Sequence, residues 1–393
     1  MDTPWPMWRF DHANTGHSPD AGPGSDVHRR WEYDAEYTVP GTPVVAGRTV
    51  HVATMAPGLS RSNLHGLDVD TGARRYVTPE DDPGVELRGS PTFADSIVYV
   101  TLLDDPDRVR GYDATSGECV RAYEAQTPGM DGIPPVLYEG SLYVTTDATL
   151  TAFDPITEQE RWRDVPHESF YGSAAFVENT VFVGTVAVNY ESVPTDDGSE
   201  VVSVLYPRLR ALDAATGETR WETELDFVPR TVAVDDGTVF SCGPESYHRF
   251  FPDDGRKDYS TVQATAVDGE HRWSAGVDAE IRSAPAIADE TVIVGTEAGD
   301  GEDAEALLAF DAATGQRLWQ YTGTGSRTAP SVGDGVVYSG SDAGFVDAVS
   351  LADGALLWRF ETVGGVYGPP SVSGGRVYVG DGNGTVFALE SRS

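Results

Sequence analysis

Lysine is almost missing from this chain: of 27 basic residues all but Lys257 are arginine, set against 63 acidic residues and a net charge of −36. So acidic a surface has no basic face for phosphates and excludes a nucleic-acid binder. It stays dissolved at high salt and repels itself when counterions are scarce, so a halophilic source, a haloarchaeon, is expected rather than an ordinary acidic protein. Long apolar runs are absent too, and none approaches the roughly 18 residues of a membrane-spanning helix. Cysteine is scarce: Cys119 and Cys242 match no metal or redox spacing and are expected to be two buried thiols. The opening MDTPWPMWRF has no basic start followed by an apolar core, which as written keeps the chain in the cytoplasm; a trimmed form of an exported protein is the alternative.

Catalytic signatures are also lacking. No GxSxG, P-loop, HxH or HExxH pattern occurs, and His12, His17, His248 and His271 read as solvated or core residues rather than zinc ligands. Asp300, Glu302, Asp303 and Glu305 are candidate ligands for a hard cation, but without EF-hand spacing they read equally as surface charge.

What the chain does contain is a repeat. AFDAATGQRLW from Ala309 to Trp319 is nearly copied as ALDAATGETRW from Ala211 to Trp221, with weaker copies from residue 66 onward. Each reads as strand, turn, strand: Asp311 accepts bonds from turn amides as Asx turns do, and Gly315 supplies a positive φ. One column of the copies is all small: Gly66, Gly111, Ala152, Ala211, Ala266, Ala309, Ala348, Ala388. The position ten residues later is mostly a large ring: Tyr76, Trp162, Trp221, Trp319 and Trp358, with Trp273 fitting if its turn is three residues shorter. Units of about 40 residues, each burying a face on its neighbour, describe a propeller or a solenoid. The last unit stops at Ser393 without a fourth strand, and HRRWEYD offers Trp31 at the other end, so pairing the two termini closes a circle and removes the open edges. The expected fold is an all-β, eight-bladed propeller of four-stranded antiparallel blades, a single domain over 1–393.

The motif AxDxxTGxxxW resembles the tryptophan-docking motif of the eight-bladed propellers of pyrroloquinoline-quinone (PQQ) dehydrogenases and of the non-catalytic outer-membrane assembly factors of the BamB type. The opening WPMWRFDHANTGHSP is similar to how BamB-like members begin. Glu158 in place of the turn glycine, Ser350 in place of the aspartate and Arg121 in place of a ring depart from the pattern locally.

In chain order, residues 1–30 are expected to form a strap held by Trp5, Trp8 and Phe10 against the outer ring, with 28–34 as the closing strand. The blades fall at about 37–78, 85–125, 129–165, 169–225, 227–277, 280–322, 326–361 and 366–390. Blades 4, 5 and 6 carry extra residues between their second and third strands, at Val186 to Tyr206, Pro244 to Ser260 and Glu297 to Ala306. Strands alternate in direction, so these loops share a face with the links between blades. They read as binding loops on a rigid scaffold or as neutral insertions.

The first strand of each blade lines the channel, and its opening residues lie on that same face. They read Pro40, Arg88, Gly132, Tyr171, Pro229, Arg282, Arg327 and Tyr367, with Arg230 one place on. Arginine's planar fork suits carboxylate or phosphate, so Arg88, Arg230, Arg282, Arg327, Tyr171 and Tyr367 form a candidate mouth for an anionic ligand or acidic peptide. Alternatively the arginines pair with Glu86, Glu280 or acids of neighbouring blades. The expected function is a non-catalytic binding or assembly scaffold for a protein partner or anionic ligand, needing no cofactor. Trp31, Trp162, Trp221, Trp273, Trp319 and Trp358 serve as structural docking residues.

The rival implied by the resemblance is a PQQ-dependent dehydrogenase of alcohols or sugars. It calls for adjacent cysteines, a tryptophan floor, calcium ligands and a catalytic aspartate, and no tryptophan is expected at a channel position. Circular dichroism across a salt series tests the halophilic reading: full β ellipticity is expected only at molar salt, and full folding in dilute buffer counts against it.

Overall fold

The computed structural model describes residues 3–56, 62–78, 86–103, 107–124, 133–166, 168–195, 198–245, 260–297 and 305–392. Among them there is no helix, and the strands form eight antiparallel blades in a ring. Blade 1 runs from Val44 to Thr78, blade 2 from Glu86 to Glu124, blade 3 from Val136 to Asp164 and blade 4 from Ser169 to Glu224. Blade 5 runs from Ala233 to Val277, blade 6 from Glu280 to Thr322 and blade 7 from Ser331 to Glu361. Blade 8 combines Ser371–Ser373, Arg376–Gly380 and Thr385–Ser391 with the N-terminal strand Val27–Asp34, which supplies its outermost strand. Closure by the two termini is therefore as expected, with Trp31 opposite Ala388.

Cross-strand register explains the small column. Trp162, Trp221, Trp319 and Trp358 lie directly opposite Ala152, Ala211, Ala309 and Ala348. In blade 5 the partner of Trp273 is Ala264, not Ala266, so that turn is shorter by one residue instead of three. Each ring then crosses to the next blade. The indole N–H of Trp31 donates to Val69 O at 3.0 Å, Trp162 to Ala214 O at 2.9 Å and Trp221 to Val267 O at 2.9 Å. Trp273 donates to Ala312 O at 2.9 Å and Trp319 to Leu351 O at 2.7 Å. Each acceptor directly follows the residue that begins the neighbouring blade's turn. A Cβ built on Gly315, at φ 72°, would sit 2.5 Å from the Trp273 ring, so the turn glycine allows both the sharp bend and the close approach of the indole.

The departures keep this geometry. Glu158 takes up a φ of 62° without being glycine. Arg121 donates from Nε to Pro155 O at 3.3 Å, the carbonyl that follows Asp154 and so the equivalent acceptor. In blade 8 the third strand, Thr385–Ser391, pairs with Val27–Asp34 instead of turning into the next strand, and Trp358 donates to Pro23 O of the N-terminal segment at 2.6 Å.

That segment lies elsewhere than expected. Instead of gripping the outer ring it runs along the inner strands, touching successive blades in order. Trp5 exchanges backbone bonds with Val45 of blade 1, and Phe93 of blade 2 donates to Pro6 O. The ring of His12 meets Leu137 O of blade 3 at 2.8 Å. Phe176, Val234, Ile287 and Val332 of blades 4 to 7 donate to the carbonyls of His12, Ala13, Thr15 and Gly16, and Gly374 of blade 8 donates to Asp20 Oδ2. The physical reason is that an innermost strand has a free edge toward the axis, and buried backbone groups there must find partners. Arg9 is fully buried within this plug, donating to Pro330 O at 2.7 Å and Pro285 O at 2.8 Å, and desolvation lowers its pKa to about 10.

Burial also neutralises two histidines of blade 1. His51 lies 2.7 Å from the Tyr76 hydroxyl and stacks on Phe93, and its pKa falls from 6.5 to about 3; that of His65, beside Tyr33, falls to about 4. Below pH 6.5 the unfolded chain takes up protons that the folded chain refuses, so stability present above that pH is lost as pH falls toward the folded values. Denaturant unfolding of the wild type and of His51→Gln at fixed salt checks this. The stability advantage of the wild type should shrink from pH 7 to pH 5 with a slope approaching about one proton; a constant difference refutes it.

Candidate functional site

The plug binds the far ends of the inner strands, so it closes the channel from one side only. What remains is a blind pocket of about 380 Å³, open on the face where the inner strands begin. All eight blades line it, through residues including Pro40, Ser90, Pro134, Tyr171, Arg230, Arg282, Thr328 and Tyr367. Trp8 of the plug also lines it, which corrects the expectation that no tryptophan reaches the channel. The N-terminal aromatics signalled a docked segment, but which side of the ring they docked on depended on the free inner edges.

Tyr171, Arg230, Arg282, Arg327 and Tyr367 thus come together at one pocket, though not in one role. Tyr367 is 55 % exposed at the rim. Arg282 is exposed as well, but already engaged: Nε and Nη2 clasp Glu280 at 2.7 and 3.0 Å, and Nε also lies 2.7 Å from Glu297. Arg327 turns its side chain away from solvent entirely. Its guanidinium stands 2.9 Å from Asp347 Oδ2 as an ion pair without a linear hydrogen bond, 4.8 Å from the centre of Phe345 and 5.6 Å from that of Tyr321.

Asp347 is the centre of that cluster. Arg359 grips both its oxygens at 2.7 and 2.8 Å, and the Tyr321 hydroxyl donates to it at 2.8 Å. Burial, reinforced by Asp347, raises the Tyr321 pKa, and hydrogen bonding to Asp347 raises that of Arg359. For Arg282 and Arg327 the alternative of pairing with local acids therefore describes the geometry. Arg230 is half-buried on the pocket wall, its backbone N–H bonded to Cys242 O at 2.9 Å. Arg88 belongs to the inner strand Glu86–Ala94, but its side chain and that of Glu86 lie outside the described part of the structure, as does Gly132.

The thiols differ from expectation in one respect. Cys242 is buried on the second strand of blade 5, and desolvation raises its pKa to about 12. Cys119 is exposed, because it begins the outermost strand of blade 2, where no further strand covers it. Asp300, Glu302 and Asp303 lie outside the described residues with most of the blade 5 and blade 6 insertions, as does the side chain of Glu305. Among the described residues no group of three or more His, Cys, Asp or Glu is placed to hold a metal, and no Asp, Glu or His lines the pocket.

The blade 4 insertion is a β-ribbon. Thr180–Thr195 and Gly198–Asp213 pair along their whole length, and at about 3.3 Å per residue the part beyond the blade projects roughly 30 Å on the mouth side.

Comparison with known proteins agrees with this architecture. Residues 105–203, 149–266, 207–332 and 307–393 match the family described as outer membrane protein assembly factor BamB. The chain is similar to the outer membrane protein assembly factor BamB of Yersinia pestis, 26 % identical over 205 residues that make up 47 % of this chain and 50 % of that protein. It spans about half the length of the first curated relatives it matches. Among solved structures, a europium-containing methanol dehydrogenase superposes with a TM-score of 0.73 at 13 % identity over 98 % of each chain. BamB from Moraxella catarrhalis gives 0.64 at 16 % identity over 93 % of this chain and 98 % of that one. At such identities these structures show the shared fold alone.

The two arginines should separate by substitution. Arg327→Ala breaks a buried pair and should cost about 3 kcal/mol, whereas Arg282→Ala removes an exposed pair and should cost under about 1 kcal/mol. Equal losses in denaturant unfolding would contradict the roles assigned from burial.

Proposed function

The chain belongs to the BamB-type family of PQQ-like β-propeller repeats, and on that footing we propose that it is a non-catalytic binding or assembly scaffold whose mouth face engages a protein partner. The observation carrying this reading is the asymmetry of the ring. One side of the channel is sealed by the plug, while the other presents an open pocket flanked by a long ribbon. A rigid scaffold with irregular elements gathered on one face is how propellers display a binding surface. A protein is favoured over a small anion because Arg282 and Arg327 already hold carboxylates.

A second reading, a PQQ-dependent dehydrogenase, is favoured by one feature, the presence of Trp8 on the pocket wall. The donor set does not fit that cofactor with calcium. The described pocket lining contains no Asp, Glu or His to ligate a cation or take a proton. Cys119 and Cys242 belong to different blades and cannot form a ring of adjacent cysteines. A role in an outer membrane is not carried over, since it belongs to the relatives' name alone.

A pull-down from native lysate at molar salt tests the scaffold reading, with the intact chain beside a variant whose blade 4 ribbon is trimmed to a tight hairpin. Capture of one protein by the intact chain and its loss on trimming is the expected result. Capture of nothing by either, together with dye-linked alcohol oxidation after incubation with PQQ and calcium, would replace it with the dehydrogenase.

A further inference from the structure

The ribbon of blade 4 outgrows the strands that flank it. Its pairing continues to Thr195 opposite Gly198, whereas the inner strand stops where Ser169 meets Val186 and the outer strand where Glu224 meets Arg208. Beyond those points no strand pairs with either edge among the described residues. The edge formed by Val186 to Thr195 continues the line of the inner strand, so it is the one nearest the pocket.

Proline shows which backbone groups that edge presents. Having no N–H, proline fits a ladder where the N–H would point away from the partner strand. The ribbon contains two, in the pairs Pro194↔Ser199 and Val186↔Pro207, and both fall in the same phase of the two-residue alternation. Val188, Tyr190 and Ser192 share that phase, so their N–H and C=O groups point outward along the pocket-side edge. Val188 and Tyr190 are 44 % and 76 % exposed, with Leu205 opposite Val188 on the same face. Charge completes the description: no lysine or arginine occurs from Asp164 to Pro207, while Glu191, Asp196, Asp197 and Glu200 belong to this stretch.

Taking the scaffold reading as its basis, we propose that an extended segment of the partner protein adds as a third strand along Val186–Pro194. The segment carries aliphatic side chains alternating with lysine or arginine. Outward N–H and C=O groups supply the main-chain bonds, Val188 and Tyr190 cover its aliphatic side, and the excess of acid over base in the sequence of this stretch suits its basic side. Edge strands are ordinarily blunted by charge or proline; here Pro194 blocks only the far end and leaves the residues before it open. A second copy of the chain would set two like-charged ribbons edge to edge, a repulsion that molar salt screens, so the concentration dependence of hydrogen exchange separates that occupant.

Hydrogen exchange on the full chain at molar salt tests this with a defined probe, an end-capped nonapeptide of alternating valine and lysine. A matched peptide with alternate amides N-methylated has the same side chains and charge but cannot add as a strand. The plain peptide should slow exchange across Val188 to Ser192 at least tenfold, and the methylated one should not. Tyr190→Pro removes one outward N–H in a phase that proline already tolerates, and should abolish the slowing while leaving the circular dichroism unchanged. No slowing with the plain peptide, or equal slowing with both, overturns the proposal without relying on any variant. Slowing that appears with chain concentration and no peptide assigns the edge to a second copy and overturns it as well. If Tyr190→Pro still captures the partner that ribbon trimming loses, strand addition fails while the scaffold reading stands.

Discussion

The ring holds because the outer strand of nearly every blade donates a polar group to the backbone beyond it; in blade 1 Tyr76 packs its ring on Gly117 of blade 2 while its hydroxyl stays with His51 of its own blade. Four-stranded blades are wedges that touch closely near the axis and diverge outside, so the outer seams need a large, flat filler with one polar end. Tryptophan meets both needs: its ring covers the turn glycine and its N–H satisfies the carbonyl beside it. Truncating such a ring typically costs about 3–5 kcal/mol. Arg121 shows that the donor matters even where the ring is lost, since it reaches the equivalent carbonyl, Pro155 O. The seam between blades 7 and 8 shows the same demand, met by Pro23 O because the last two strands of blade 8 are not joined by the usual turn.

The inner side poses the opposite problem. Eight innermost strands present unpaired edges to the channel, where leaving a buried backbone group without a hydrogen bond is costly. The N-terminal segment answers this blade by blade before it becomes the closing strand of blade 8. One stretch of chain thus performs two tasks. It seals the axis and then completes the ring, which couples the shape of the pocket to closure of the fold.

Function on this scaffold is a matter of which face is left open. The plug takes one end of the channel, and the ribbon rises from the other. Charge is handled locally even in so acidic a molecule: Arg282 is held by Glu280 and Glu297, and Arg327 by Asp347, so the mouth has little unspent positive charge from these two to offer a ligand. What it offers instead is backbone along an edge and the aromatic surface of Tyr190 and Tyr367, which are features suited to a polypeptide.

The fold was legible in the sequence because its determinants are local and repeated. A small residue opposite a ring, an Asp-led turn and a glycine at positive φ recur often enough to count blades, and Trp31 could be matched to Ala388 because one terminus lacked what the other supplied. The mouth was legible in part, since opening residues of equivalent strands must converge on the axis. Three things were decided only by tertiary structure. The strap went inside because free inner edges, a property of the assembled ring, present backbone groups that it can pair with blade after blade. Arg327 turned inward because Asp347, Tyr321 and Phe345 of neighbouring strands surround it, and no spacing in the chain announces that neighbourhood. The insertion in blade 4 became a paired ribbon instead of a loop because its two halves could continue the ladder already running through the blade, which converts an excess of residues into an edge.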